Sequence, residues 1–541
     1  MFRFTRVASA LWLWVVVQQP ADVLASPAKD LENQSASQRF FTNGTVCEIH
    51  MEMPTAGIES LKREPRKPVH ARILEGTNIY VKAGVHLKGN STFRPIDGEK
   101  PSFTIKFNFD TPGQRFHGLA KISLNNSIQD PSYINEPLCT ELFRGIGVPV
   151  ARISHARVWL NQRYLGVYIL VEGLTKDFLK LNFSNSDGNL YEGNSQDIDE
   201  DLPQINGTNT SRADLKALAD IAREADAGLR WQRLQKALDM NGFISMMAGE
   251  VLMSAWDGYY NDANNYRIYH DTKSARMVMM PHGMDNMWQV DDARWRPELH
   301  TLLGKAILQT SQGQNLYRER FWTLFDGPFR AELLLVRVDQ ISQRLRPAIA
   351  KDGNEAVKQF DKEVATVRRR ITARMDYLAQ ELSTLSHRLS FSSEGIAKLA
   401  GWQAKAEAGP LKLDHVEKDG RPALHVQAAR EGKGTWLTRV QLDPGNYVFQ
   451  GEACTLGLVA SGSEPGAGAG LRRAGEKPGK RLSGDSPWTR LESEFEVRES
   501  GTVELRCELQ CKEGEAWFDT TSLRLRRVAG EVETLKRQPQ N

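Results

Sequence analysis

The chain has 541 residues, 40% hydrophobic and 25% charged, enough for roughly two to four globular domains. Lys+Arg 70 against Asp+Glu 67 leaves a formal charge of +3, which excludes a histone-like or acidic-tail protein and supplies no field for a nucleic-acid partner. Mean hydropathy is -0.46, and beyond the N-terminus no apolar run approaches the ~20 residues of a membrane helix, so polytopic membrane proteins, collagens and coiled-coil arrays are excluded.

The N-terminus reads as an address. Arg3 and Arg6 precede an apolar core, Ala8 to Val17, and Val23-Leu24-Ala25 offers small residues at a cleavage position. Residues 1–25 are expected to be a signal peptide, and the chain to be exported: secreted, periplasmic or cell-surface, with no transmembrane anchor after signal removal. Residues 26–45 are polar and expected to be a flexible leader. From Val46 the texture is strand-like. In Ser102 to Phe109, Phe103, Ile105 and Phe107 face one way and Thr104, Lys106 and Asn108 the other. Asp130 opens a helix whose Ile134, Leu138, Leu142 and Ile146 recur every fourth residue, until Gly145 and Gly147 end it. Arg157 to Leu160 and Tyr164 to Val171 read as a β-hairpin.

After Glu172 the pattern turns helical, with a strongly apolar helix over Asn241 to Ala255. Asn265 to His270 and Arg276 to Pro281 are two short strands around a turn, and helix resumes from Leu302 to about Arg388. Near 390–400 the helical period stops. Short alternating segments about ten residues apart then predict a β-sandwich over 400–541, jelly-roll-like in texture, with Ser461 to Gly484 as a long loop or insertion. Thr502 to Leu509 and Glu515 to Phe518 are expected as separate strands. Trp402, Trp436, Trp488 and Trp517 either fill its core or offer ring faces to sugars, which makes polysaccharide a candidate partner. The 5 cysteines leave at least one unpaired. Cys507 and Cys511 on one strand would lie ~13 Å apart, too far to bridge each other.

No HExxH, no GxSxG on a strand–turn–helix and no GxGxxG occurs. The chemistry concentrates in Trp256 to Trp288. An apolar helix ends at Asp257, a loop holds Asn261, Asn264 and Asn265, and a hairpin delivers Asp285 just past its second strand. Carboxylate and amide oxygens suit Mg²⁺. The bland alternative is that Asp257-Gly258 and Asn264-Asn265 only make turns. His270 and His282 flank the segment and read as structural. Upstream, a strand lysine (Lys106), a helix with Glu136 and Glu141, and a hinge-like Val171-Glu172-Gly173 follow the linear order of a two-lobed kinase.

On these residues the chain resembles the spore coat protein H (CotH) family of atypical protein kinases over roughly Val46 to Leu385. The matching runs are Leu87 to Thr92, Lys100 to Phe107, Asp130-Pro-Ser, Gly145 to Pro149, Asn161 to Glu172, Asp257-Gly-Tyr with Asn264-Asn-Tyr, and Gly283-Met-Asp. The resemblance implies an α+β fold, a two-lobed kinase-like domain over 46–390 (β-rich lobe about 46–172, helical lobe about 173–390) before the sandwich. It implies ATP and Mg²⁺ or Mn²⁺ as cofactors and Ser/Thr of a protein as acceptor. Asp257 then becomes the catalytic base or metal organiser, Asp285 the metal ligand and Asn264, with Asn265 as alternative, an oxygen donor. Lys106 becomes the phosphate-contacting lysine, with Lys88 and Lys100 as alternatives, paired with Glu141 or Glu136, and Glu172 lies at the hinge. The rival reading is a catalytically inactive surface or matrix protein that binds polysaccharide through its sandwich.

Overall fold

The computed structural model describes residues 27–290, 292–382, 386–389, 391–462 and 466–528; the expected signal peptide, 1–25, lies outside them. The leader expected over 26–45 is instead largely a helix, α1 (Pro27–Asn43). Its sequence lacks an apolar stripe, and what holds it comes from distant segments. Phe40 stacks on His117 at 4.6 Å, Ser37 Oγ accepts from Arg152, and Asp30 pairs with Lys180.

The first sheet contains β1 (Cys47–Glu52), β2 (Val69–Glu75), β3 (Asn78–Lys88), β4 (Ser102–Lys106), β5 (Lys121–Asn125), β6 (Ile153–Leu160) and β7 (Arg163–Glu172). Helices α2 (Thr55–Arg63) and α3 (Asn135–Gly145) are inserted between strands. The strands close into a barrel in the order β1-β2-β3-β4-β5-β7-β6, with β1 and β6 parallel. The period of two drives this arrangement: Ile73, Val85, Phe103, Ile105, Ile122, Leu124 and Leu170 pack in one interior cluster. The alternate residues of β4 and β5 face outward. Thr104 pairs across with Ser123 and Lys106 with Lys121, so one polar face carries Ser102, Thr104, Ser123 and Asn125.

The next segment comprises α4 (Lys176–Asn182), β8 (Leu190–Gly193), β9 (Gln204–Asn206), α5 (Ala213–Ala222), α6 (Ala227–Ala237), α7 (Met240–Leu252), α8 (Tyr259–Asp262), β10 (Tyr266–Asp271) and β11 (Arg276–Pro281). The four strands form a sheet ordered β11-β10-β8-β9. Helices α9 (Leu302–Leu308), α10 (Ser311–Phe325), α11 (Ala331–Ala350) and α12 (Asn354–Leu382) complete the helical part. Residues 243–252 of α7 are all buried, which explains its nearly all-apolar sequence. Arg374 of α12, fully buried, donates to the Val251 carbonyl at 2.7 Å and satisfies the C-terminal end of α7 just before the Asp257 loop.

The C-terminal part is β-rich, as expected of a sandwich: twelve strands pair in one sheet, over a separate apolar cluster that includes Leu424, Val440, Phe449, Leu505 and Phe518. Two expectations need correction. Thr502 to Leu509 and Glu515 to Phe518 belong to a single strand, Gly501–Asp519, which continues through Gly514 at φ +125. The expected loop 461–484 contains a strand, Gly468–Arg473, because the 505–510 stretch leaves an edge for it to pair. Arg472 and Arg481 of that region then pair with buried Glu508. All five cysteines are buried and free. Among the described residues no helix is long and apolar enough to cross a membrane.

Candidate active-site cleft

A cleft of about 780 Å³ lies between the outer face of β4–β5 and the sheet β11-β10-β8-β9. Its acidic end is built by the loop after α7 and the turn after β11. The buried Glu250 carboxylate accepts the N–H groups of Tyr259 and Tyr260 at 3.3 and 3.2 Å, which fixes the start of α8 and hence the Asp257 loop. Burial pushes the Glu250 carboxyl up to about 8. Asp257 Oδ2 accepts from Asn265 Nδ2 at 3.0 Å and from Asn286 Nδ2 at 3.1 Å. Asn135 of α3 donates to the Asp285 carbonyl at 2.9 Å and ties the second acidic turn to the barrel side. Burial raises both Asp257 and Asp285; the Asn286 amide opposes it at Asp257, and Asp257 itself adds to it at Asp285.

Opposite these acids stands Lys88, at the end of β3. Its Nζ donates to Asn125 Oδ1 at 2.6 Å, and Asn125 Nδ2 lies 3.2 Å from both Glu136 carboxylate oxygens. Lysine and helix glutamate are thus joined through an amide. Burial, then Asp285, push the Glu136 carboxyl up to about 7, while burial lowers Lys88.

The sequence expectations divide here. Asp257, Asp285, Asn264, Asn265 and Lys88 all line the one cleft. Asn264 does so with its Oδ1 accepting the Ser195 N–H at 3.1 Å, so Asn265 and Asn286 are the amides that hold Asp257. Lys106 is exposed at the far end of β4 and is not among the cleft residues. It shares the polar face, but four residues of strand set it ~13 Å from Ser102, the partner of Lys88. Glu141 ion-pairs with Arg337 of α11 on the other side of α3; five residues turn a helix by about 140°, so Glu136 and Glu141 cannot face the same way. Glu172 borders the cleft, but its buried carboxylate is clasped by Arg152, 2.9 Å from Nε. Lys100 donates to the Tyr133 hydroxyl. His270 pairs with Asp214 away from the cleft, whereas His282 lines it.

Sequence reading missed Asn125, Asn286, Lys121 and Arg267. Only the cross-strand register exposes Asn125 and Lys121, and Asn286 was visible as the neighbour of Asp285. Trp402, Trp436 and Trp517 are 5, 4 and 7% exposed and belong to the interior. Trp488, half-buried, donates to Asp419 and has Arg421 5.1 Å above its ring.

The family model described as CotH kinase protein matches residues 85–378, more than half of the chain. The chain belongs to the CotH family. It is 22% identical to inner spore coat protein H of Bacillus subtilis (strain 168) over 314 residues, 53% of this chain and 85% of that one. It is 22% identical over 273 residues to spore coat protein homolog 1 of Rhizopus delemar, covering 47% of this chain and 41% of that protein. Among solved structures, the Helicobacter pylori proinflammatory kinase CtkA aligns at 8% identity over 56% of this chain and 96% of its own, with a TM-score of 0.22.

Proposed function

We propose that the chain is an exported kinase of the CotH type that transfers the γ-phosphate of ATP to Ser or Thr of a protein, with Mg²⁺ or Mn²⁺. The observation that carries this reading is the meeting of Lys88, Asp257 and Asp285 in one cleft, with Glu136 tied to Lys88 through Asn125. Its location at the cell surface or outside is supported by the signal-like start and by the spore-coat relatives.

The donor set fits the metal. Asp257, Asp285 and the Asn265 amide oxygen, all at the acidic end of the cleft, are hard donors of the kind Mg²⁺ prefers. Asp285 and Asp257 would hold the ion, which neutralises charge on the transferring phosphate when bound. Lys88 places a fixed positive charge along the phosphates. Asp257, oriented by two amides, is positioned to accept the proton of the incoming hydroxyl.

The test is transfer of labelled phosphate from ATP to casein or to the chain itself, with Mg²⁺ and with EDTA. Asp285→Ala should reduce transfer at least 100-fold, on the order of 3 kcal/mol of lost stabilisation. Transfer at the wild-type rate by that variant would sink the assignment. A wild-type chain that binds no nucleotide, while its sandwich holds polysaccharide at Trp488, would instead be the non-enzymatic surface protein.

A further inference from the structure

A second cavity, of about 420 Å³, lies where the helical part meets the β-rich C-terminal part, and none of its lining residues belongs to the cleft. Its size is that of a small-molecule site, and junctions between folded parts are a common place for one. The apolar floor comes from both parts: Phe325 of α10 and Met375 and Ala379 of α12 on one side, Trp402 and Trp436 on the other. A Cβ on Gly401 would strike the Trp322 ring, so the absence of a side chain there lets the chain leading into Trp402 approach α10 closely. Phe449 stacks on Trp402 at 6.1 Å and His415 meets Trp436 edge-on at 4.7 Å, which fixes both indoles.

The charged groups of the wall are mostly acidic. Asp326 follows α10, Glu332 lies in the first turn of α11 and Asp376 lies on α12, and all three line the cavity. One guanidinium stands among them: Arg330 is 3.5 Å from Glu332 and favours the ionised form of Asp326. His415 adds no charge at neutral pH, because burial pushes its ring down to about 4. Carboxylates thus outnumber cations along the wall. Two of its polar atoms are also incomplete. Trp402, 5% exposed, has no acceptor for Nε1–H, and His415 has no partner at Nδ1. With its hydrogen on Nε2, the nitrogen toward Asp326, the His415 ring keeps Nδ1 as an acceptor. Folded proteins seldom leave such groups unsatisfied. Surplus carboxylate, a vacant acceptor and a vacant donor above an apolar floor select a ligand that is cationic, carries an oxygen and has an apolar body.

We propose that this junction cavity binds a small organic cation, an ammonium group and a neighbouring oxygen carried on an apolar ring. The ammonium meets Asp326, Glu332 and Asp376, the oxygen accepts from Trp402, and the ring covers Phe325, Met375 and Ala379. The site shares no residue with the cleft and stands whether or not the chain transfers phosphate. Because α10–α12 and the sandwich each supply part of the wall, occupancy ties the two parts together.

The experiment uses the full chain at pH 8, where Asp326, pushed up to about 7 by burial, is ionised. It measures calorimetric affinity and thermal shift for three probes of one shape: 2-amino-1-phenylethanol, the neutral 1-phenylethane-1,2-diol and the anionic mandelate. The ammonium probe should raise the melting temperature and bind about tenfold tighter than the diol, the effect of one charge-assisted hydrogen bond, and mandelate should not bind. Affinity for the ammonium probe should fall as salt rises. Glu332→Gln and Asp376→Asn, both at exposed positions, should each weaken it about threefold. Ala379→Phe, at an exposed position of α12, should fill the cavity and abolish binding while the free protein melts as the wild type does. Asp285→Ala, in the cleft, should leave the affinity unchanged. Failure of the ammonium probe to bind, equal binding of the diol or mandelate, or binding that survives Ala379→Phe overturns the proposal. Loss of binding in Asp285→Ala would place the cation at the acidic end of the cleft and overturn it as well.

Discussion

At the scale of the residue, position along a strand decides which lysine reaches the cleft. Lys106 and Lys88 are both strand lysines, on neighbouring strands that pair antiparallel. Lys106 pairs across with Gly84 and lies at the rim, whereas Lys88 ends β3 beside Ser102 and turns its Nζ to Asn125. On the proposed function, Lys88→Ala should therefore reduce kcat/KM for phosphate transfer by about 100-fold, since the cleft loses a buried positive charge. Lys106→Ala should change it less than threefold, because an exposed lysine is screened by solvent. A silent Lys88→Ala would return the role to another cation of the cleft. Asp257, Asp285 and the Asn264-Asn265 pair were legible from their segment alone. The lysine and its glutamate were not, because their choice depends on register and helix phase.

At the scale of the element, the decisive piece is the turn that follows β11. Gly283 has φ +59, and a Cβ there would lie 2.6 Å from Asn265 Oδ1. Asn265, itself left-handed at φ 52, is one of the two amides that hold Asp257. A side chain at Gly283 thus meets both backbone strain and the amide that holds Asp257. Gly283→Ala should lower stability by about 1–2 kcal/mol, read from denaturant unfolding. It should lower kcat/KM by more than tenfold, because Asn265 must move. A loss of stability with intact kcat/KM would separate Asn265 from the orientation of Asp257.

At the scale of the whole molecule, the helical part and the β-rich C-terminal part meet around one largely covered acid. Asp326, at the end of α10, accepts the Gly401 N–H at 3.3 Å and lies 4.0 Å from His415 Nε2. Gly401 is close-packed on Trp322, where a Cβ would fall 2.6 Å from the indole. Burial pushes Asp326 up to about 7 and His415 down to about 4; Arg330 and the backbone N–H groups of Gly401 and Trp402 favour the carboxylate, and Glu332 opposes it. The folded pair therefore keeps one proton, on the acid, across the range where the unfolded chain keeps one on the histidine. Between pH 4 and 6.5 the two effects cancel, and wild-type stability takes no slope from this pair. Asp326→Asn leaves the depressed histidine alone, so stability should rise with pH from about 4 to 6.5, relative to wild type. His415→Gln leaves the raised acid alone, so stability should fall as pH rises from about 4 to 7. Melting temperatures of the three proteins at pH 4.5, 5.5, 6.5 and 7.5 decide the matter; parallel curves would refute the two opposed shifts.

Local periodicity and composition determined much of this protein without tertiary information. The period of two in Ser102 to Phe107, the apolar run of α7, the hairpin before Asp285 and the shift to short strands after residue 400 each reflect which face a single element must bury. So do the two aspartates, since a loop after a buried helix and a turn after a hairpin are local features. Tertiary structure alone decided what depends on partners remote in the chain. Helix α1 has no apolar stripe and is held by Phe40 on His117 and Ser37 on Arg152. Glu172 was drawn from the cleft by Arg152, and Glu141 by Arg337. Three of the four indoles, Trp402, Trp436 and Trp517, were assigned to the interior by sheet packing, and Trp488 was left half-buried. Side-chain pairing across a barrel or between helices depends on three-dimensional register, and no periodicity within one segment encodes it.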